Sequence, residues 1–106
     1  MITIKDFEKL DLRIGEIISV EDIANADKLY KLEVDMGGKQ IQLVAGIKPY
    51  YKKEELVGKK IVVLVNLQPI QIRGITSEGM LLAAIKDDKL SLLTIDKDIE
   101  VGSEVA

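Results

Sequence analysis

The sequence predicts a single all-β domain, and three observations carry that expectation. Apolar and polar residues alternate in several segments of strand length, a Gly37-Gly38 pair separates two of them, and residues 61–67 form an almost continuous apolar run. The first element is the exception. Residues 1–10 read as a short helix, because Thr3 is a good N-cap, Asp6 stands three residues on, and Ile2 with Phe7 suits a hydrophobic staple. So short a helix does not persist alone in water, so the face of Ile4, Phe7 and Leu10 must dock. Residues 12–20 form the first strand, with Leu12, Ile14, Ile18 and Val20 as its apolar face and Gly15 as a bulge or bend. Residues 29–36 set Tyr30, Leu32, Val34 and Met36 against Lys31, Glu33 and Asp35. Ile41, Leu43 and Ala45 then continue as the antiparallel partner across the Gly37-Gly38 turn. Residues 49–56 read as a helical turn closed by Gly58, and the run 61–67 suits a strand buried on both faces. A connector follows over 68–77. Residues 80–85 and 90–95 then pair across Lys86-Asp87-Asp88-Lys89, and Val101 and Val105 end the apolar pattern. Three strands, a helix and two strands is the order of the OB-fold, a five-stranded Greek-key barrel, here with a short N-terminal helix and extra C-terminal strands, and a small open sandwich would read similarly.

The chain has 106 residues and shows no repeat, linker or low-complexity segment, so one domain spans 1–106. A domain of this size buries only about two-thirds of its unfolded surface, and a partner subunit would help to complete it. Cysteine is absent, which excludes disulfides, thiolate nucleophiles and Cys-ligated metals. Histidine is absent too, which removes Ser-His-Asp and Cys-His catalysis. Only carboxylates remain that could hold a metal or do acid–base chemistry, and the reading assigns no catalytic residue, no metal site and no cofactor. No apolar run reaches the roughly 20 residues of a membrane span, and residues 1–10 lack the pattern of a signal peptide. A cytoplasmic protein without a membrane partner is expected. The net charge of −3 argues against an anionic partner, but its distribution argues the other way. Residues 28–73 carry nine basic and four acidic side chains, whereas 1–27 and 74–106 each carry three and seven. A basic middle can face an anionic ligand although the total is negative.

An OB-fold binds oligonucleotides on its second and third strands and with the loops after the first and fourth. Those loops are residues 21–28 and 68–77. In the first, Asn25 and Asp27 suit a turn, and Lys28 reads equally as a solvated side chain or a phosphate contact. In the second, Arg73 is one of only two arginines in the chain. Two readings stand for it: a planar fork offered to a phosphate or base edge, or a surface ion pair with Glu78. Ser77 either donates to RNA or satisfies backbone before the next strand, and Met80 either packs on a base or fills core. Asn66, Gln68 and Gln71 add amides that read base edges or bridge loops. Lys48, Lys52 and Lys53 surround Tyr50-Tyr51, a basic and aromatic pattern that suits RNA. The competing reading has the tyrosines plug the barrel while Lys52 and Lys53 pair with Glu54 and Glu55. Aromatic residues are only 4% of the chain and Trp is absent, so a stacking platform for single strands is missing. A reader of folded RNA by shape and backbone fits better.

Four ordered motifs then show a resemblance. They are Asp11-Leu12-Arg13-Ile14-Gly15-Glu16-Ile17, Asn25-Ala26-Asp27-Lys28-Leu29-Tyr30, Val44-Ala45-Gly46-Ile47, and Asn66-Leu67-Gln68-Pro69 running through Arg73-Gly74 to Ser77-Glu78-Gly79-Met80-Leu81-Leu82-Ala83-Ala84. Together they resemble the tRNA-binding domain of methionyl-tRNA synthetase, a family that also holds free-standing tRNA-binding proteins and an export-related chaperone. Size and the Thr3 helix are most similar to the separate beta subunit of archaeal type. The resemblance implies an OB-fold homodimer that binds tRNA at its outer corner, has no catalytic activity of its own, and raises the tRNA affinity of a synthetase catalytic subunit. It implies RNA contacts from Asn25, Lys28, Asn66, Arg73, Ser77 and Met80, to which the basic cluster adds Lys48. The alternative it leaves is a chaperone binding unfolded protein on the same dimeric fold. One departure stands out: Ile23-Ala24 occupies the place where the family usually has His-Pro.

Overall fold

The computed structural model describes residues 1–106. The capping box expected at the front is present. The Thr3 hydroxyl accepts from the Asp6 N–H at 3.2 Å and the Asp6 carboxylate accepts from the Thr3 N–H at 3.0 Å. The helix it starts, α1 (Ile4–Phe7), is a single turn, shorter than 1–10. Its docking differs from expectation. Phe7 packs on Leu12, Ile14, Val62 and Leu64, whereas Ile2 and Ile4 stay 73% and 74% exposed, so no staple forms.

The strands are β1 (Leu12–Ile23), β2 (Ala26–Asp35), β3 (Gln40–Ala45), β4 (Lys60–Leu64), β5 (Ile70–Ile72), β6 (Ile75–Ser77), β7 (Met80–Leu81), β8 (Ala83–Lys86) and β9 (Lys89–Leu92), with α2 (Lys53–Leu56) between β3 and β4. Five of them form one antiparallel sheet in the order β3-β2-β1-β4-β7. This is the predicted OB-fold. The sheet closes on itself mainly through side chains. The Val44 N–H donates to the Ser77 hydroxyl at 3.0 Å, the Gln42 N–H to the Glu78 carboxylate at 2.8 Å, and the Glu78 N–H to the Gln42 carbonyl at 2.8 Å. These bonds occupy the β3 edge, which would otherwise present free backbone groups.

The first strand corrects the sequence reading. Its apolar residues do not share one face: Leu12 and Ile14 join the small cluster under α1, while Ile17 belongs to the main core and Ile18 is exposed. Residues near the start of β1 are thus covered on both sides, by β4 as sheet partner and by α1 and the C-terminal tail over the outer face. The bulge lies between Ile17 and Ser19, not at Gly15. Gly15 is a close-approach position instead, since a Cβ there would meet Met36 Sδ and Val34 Cγ1 at 2.6 Å. The strand β4 is buried on both faces as expected but ends at Leu64, with Ile61 and Val63 in the main core and Val62 and Leu64 in the outer cluster.

Other boundaries shift for local reasons. The loop expected over 21–28 is mostly strand, and only the turn at Ala24 and Asn25 separates β1 from β2. The connector over 68–77 is a hairpin of β5 and β6. Its Arg73-Gly74 turn has positive φ at both residues, 53° and 79°, as a type I′ turn requires. The two C-terminal strands become β7, β8 and β9, with Leu82 at the junction: its N–H bonds the Val62 carbonyl of β4 at 3.1 Å and its carbonyl accepts from the Leu93 N–H at 3.1 Å. The tail is used within the chain: the Val105 N–H bonds the Leu12 carbonyl at 2.8 Å and the Ile14 N–H bonds the Ser103 carbonyl at 2.9 Å. No helix is long and apolar enough to cross a membrane.

Candidate nucleic-acid interface

The two loops do meet. The β1–β2 turn and the β5–β6 turn border one shallow cleft of about 380 Å³, lined by Asn25, Ala26, Asp27, Lys28, Leu29 and Arg73. Local geometry presents each residue. Asn25 sits at φ 60°, a left-handed position that Asn tolerates better than most residues, and it tightens the turn. Between Asp22↔Tyr30 and Ile23↔Ala26 the ladder slips, so residues 27–29 bulge out of the pairing and carry Lys28 outwards. Arg73 stands at the tip of its hairpin, exposed. Neither Lys28 nor Arg73 has an acidic side chain within ion-pair distance. The pair Arg73 with Glu78 is absent, because the Glu78 carboxylate is turned towards the Gln42 backbone.

The other candidates lie elsewhere or are engaged. Ser77 is buried, accepts from the Val44 N–H and donates to the Gly79 carbonyl at 3.1 Å, so its hydroxyl is committed to closing the barrel. Asn66 uses both ends of its amide, accepting from the Asp11 N–H at 2.9 Å and donating to the Lys9 carbonyl at 2.7 Å. That ties the end of α1 to the end of β4. Met80 is half-exposed beside an apolar groove of about 400 Å³ that also contains Ile47, Leu82, Ile85 and Leu90. Lys48 lies next to the cleft, since its N–H donates to the Lys28 carbonyl at 3.3 Å, but its ammonium is 3.0 Å from Asp22. The geometry therefore joins Asn25, Lys28 and Arg73, places Lys48 beside them, and sets Asn66, Ser77 and Met80 apart.

Lys53 of the basic cluster also reaches this region, through a partner that the sequence does not reveal. It bonds Asp22 at 2.7 Å, not the neighbouring Glu54 or Glu55, and Glu55 instead accepts from the Lys52 N–H. Hydrogen bonds from Lys53 and Lys48 hold the Asp22 carboxyl below its ordinary range, and the same contact raises Lys53. The tyrosines divide between the two readings. Tyr51 is packed on the core, where its hydroxyl accepts from the Leu92 N–H at 3.1 Å and its carbonyl accepts from the Tyr30 hydroxyl at 2.8 Å. Tyr50 is exposed.

An OB barrel whose loop cleft offers two cations without ion-pair partners has the architecture that nucleic-acid-binding barrels use. The chain is a member of the family described as "Putative tRNA binding domain", whose profile matches residues 12–104. It is 56% identical over 105 residues to a methionine–tRNA ligase of Nanoarchaeum equitans and 54% identical over 105 residues to that of Methanocaldococcus jannaschii. These matches cover 99% and 98% of this chain but 14% and 16% of the ligases, so the chain spans a small part of those relatives. Among solved structures, a MetRS-related protein from Pyrococcus horikoshii superposes with TM-score 0.94 at 34% identity, covering 100% of this chain and 98% of that one. The CsaA chaperone protein from Picrophilus torridus superposes with TM-score 0.92 at 42% identity over the whole of both chains.

Proposed function

We propose that this chain is a noncatalytic tRNA-binding module that grips folded tRNA by shape and backbone and raises the tRNA affinity of a methionyl-tRNA synthetase in the cytoplasm. The observation that carries the reading is the cleft in which Lys28 and Arg73 arrive from separate loops with no acidic partner. Neither cation has an ion pair to break before it meets a phosphate, although Asp27 lines the same cleft, and Arg73 adds a fork that fits a phosphate or a guanine edge. Gel-shift titration with bulk tRNA tests it. Arg73→Ala is expected to cost about 1–3 kcal/mol of binding free energy. Lys28→Ala should weaken all tRNAs alike and flatten the salt dependence by about one released counterion. Lys89→Ala and Lys97→Ala are controls. If they weaken binding as much as Arg73→Ala while the fold persists, the face is wrong.

The proposal includes a two-fold homodimer. Ile2, Ile4, Leu10, Ile85 and Leu93 are exposed, and Phe7 shares a cluster with Leu82 and Ile95, so α1 and the C-terminal segment lie side by side. Light scattering should give twice the 11.8 kDa chain mass at micromolar concentration, and a monomer would refute the dimer. A second reading, a chaperone for unfolded protein, is favoured by the apolar groove beside Met80. Tight binding of an unfolded peptide with no tRNA shift would decide for it.

A further inference from the structure

The acidic ends and the basic middle of the sequence do not stay apart in the fold. Glu21 lies 3.8 Å from Lys31, Asp98 lies 2.8 Å from Lys60, and Asp22 takes both Lys48 and Lys53. Of these contacts only the last adjoins the cleft, because Lys48 donates its N–H to Lys28. Its geometry is also distinct. One carboxylate oxygen of Asp22 is 3.0 Å from Lys48 Nζ and the other is 2.7 Å from Lys53 Nζ, so one anion bridges two ammoniums. A phosphodiester presents the same feature, two anionic oxygens on one centre. Lys48 is further fixed by the Tyr30 ring, whose centroid lies 5.9 Å from its ammonium.

We propose that Lys48 and Lys53 form a second phosphate-binding point next to the cleft, and that Asp22 occupies it as an internal competitor. Resting on the tRNA reading above, the proposal adds a site and a device that limits affinity. RNA binding there is an exchange: a backbone phosphate displaces the Asp22 carboxylate, which moves into water. All three side chains are partly exposed, so the exchange needs no opening of the core. The attraction of the ammoniums for phosphate is reduced by the ion pair that must break first.

The test compares wild type, Asp22→Asn, Lys53→Ala and the double variant in tRNA gel shifts over a series of salt concentrations, with circular dichroism to confirm the fold. Asp22→Asn is expected to raise affinity several-fold and steepen the salt dependence by about one to two counterions. Adding Lys53→Ala should abolish most of that gain, whereas Lys53→Ala alone should change affinity little. If wild type binds tRNA and Asp22→Asn binds no better, the competitor role fails while the tRNA reading stands. If neither binds tRNA, the functional reading fails. In that case titration with inorganic tripolyphosphate, followed by NMR shifts at Lys48 and Lys53, decides the anion site alone: tighter binding by Asp22→Asn supports it and unchanged binding overturns it.

Discussion

Arg73 and Ser77 are both candidates for RNA contact and lie four positions apart in sequence, yet the fold places them in opposite settings, one exposed at a hairpin tip and one buried. Ser77 is buried and donates and accepts within the barrel. Ser77→Ala leaves the Val44 N–H without a partner, so it is expected to cost about 1–3 kcal/mol of stability with little direct effect on RNA contacts. Urea unfolding beside gel shift separates the two. Arg73 holds φ 53° in a turn that favours Asn or Gly at that place. Replacing it by Asn should stabilise the hairpin or leave it unchanged while weakening tRNA binding, and a variant weakened in both respects would contradict the assignment. The sequence points to both side chains but does not tell a donor committed within the barrel from one left free at the surface. That distinction depends on whether the residue falls inside or beyond the β3 contact, and no local pattern records it. Of the two readings for Lys53, the pairing with Glu54 or Glu55 fails for a similar reason, since those near neighbours hide a partner 31 positions away.

At the scale of elements, alternation located β2 and β3 well because each has one face on the core and one on solvent. It failed on β1, where the outer face of the first half is covered as fully as the inner face of the second. Leu12 and Ile14 point one way and Ile17 the other, so a single-face reading chose Ile18 instead. The hairpin of β5 and β6 was missed because an Arg-Gly pair is a weak turn signal beside Asn-Gly. Gly15 carries a prediction here. Gly15→Ala would drive a methyl to 2.6 Å from Val34 and Met36, and should destabilise the barrel by about 1–3 kcal/mol in urea unfolding. A neutral outcome would mean that β2 yields more readily than its packing implies.

For the molecule as a whole, the charge blocks of the sequence correctly marked a basic middle but not its partial neutralisation. Glu21, Asp22 and Asp98 fold onto Lys31, Lys48, Lys53 and Lys60, which leaves Lys28 and Arg73 as the free cations of the cleft. Asp22 and Asp98 both ionise below their ordinary 3.8, through hydrogen bonds from Lys53 and Lys48 and from Lys60 respectively. A carboxylate with a depressed folded pKa contributes stability above its unfolded pKa, and that contribution is lost as pH falls through the folded value. Acid unfolding should therefore draw on these two groups below about pH 4, and a double Asn variant should show a flatter pH dependence there. An unaltered acid limb would remove them from the account.

The pairing of the tail with β1 also has a consequence in time. Ile14 bonds Ser103, and Gly102 donates to Ile14 at 2.7 Å, so this ladder joins residues almost a full chain length apart. The loop it closes is among the longest the chain can form, and its entropy is best met after the barrel has brought β1 and β4 together. The strip should then be a late arrival in folding and an early point of opening in the native state. Hydrogen exchange at the Gly102, Ser103 and Val105 amides should outpace that at Ile17, whose side chain is fully buried in the main core and whose N–H bonds the Lys59 carbonyl at 3.0 Å. Once the strip lifts, the outer side of Leu12 and Ile14 is bared while the cleft at Lys28 and Arg73 keeps its shape, so the molecule can breathe at one end without loosening its hold at the other.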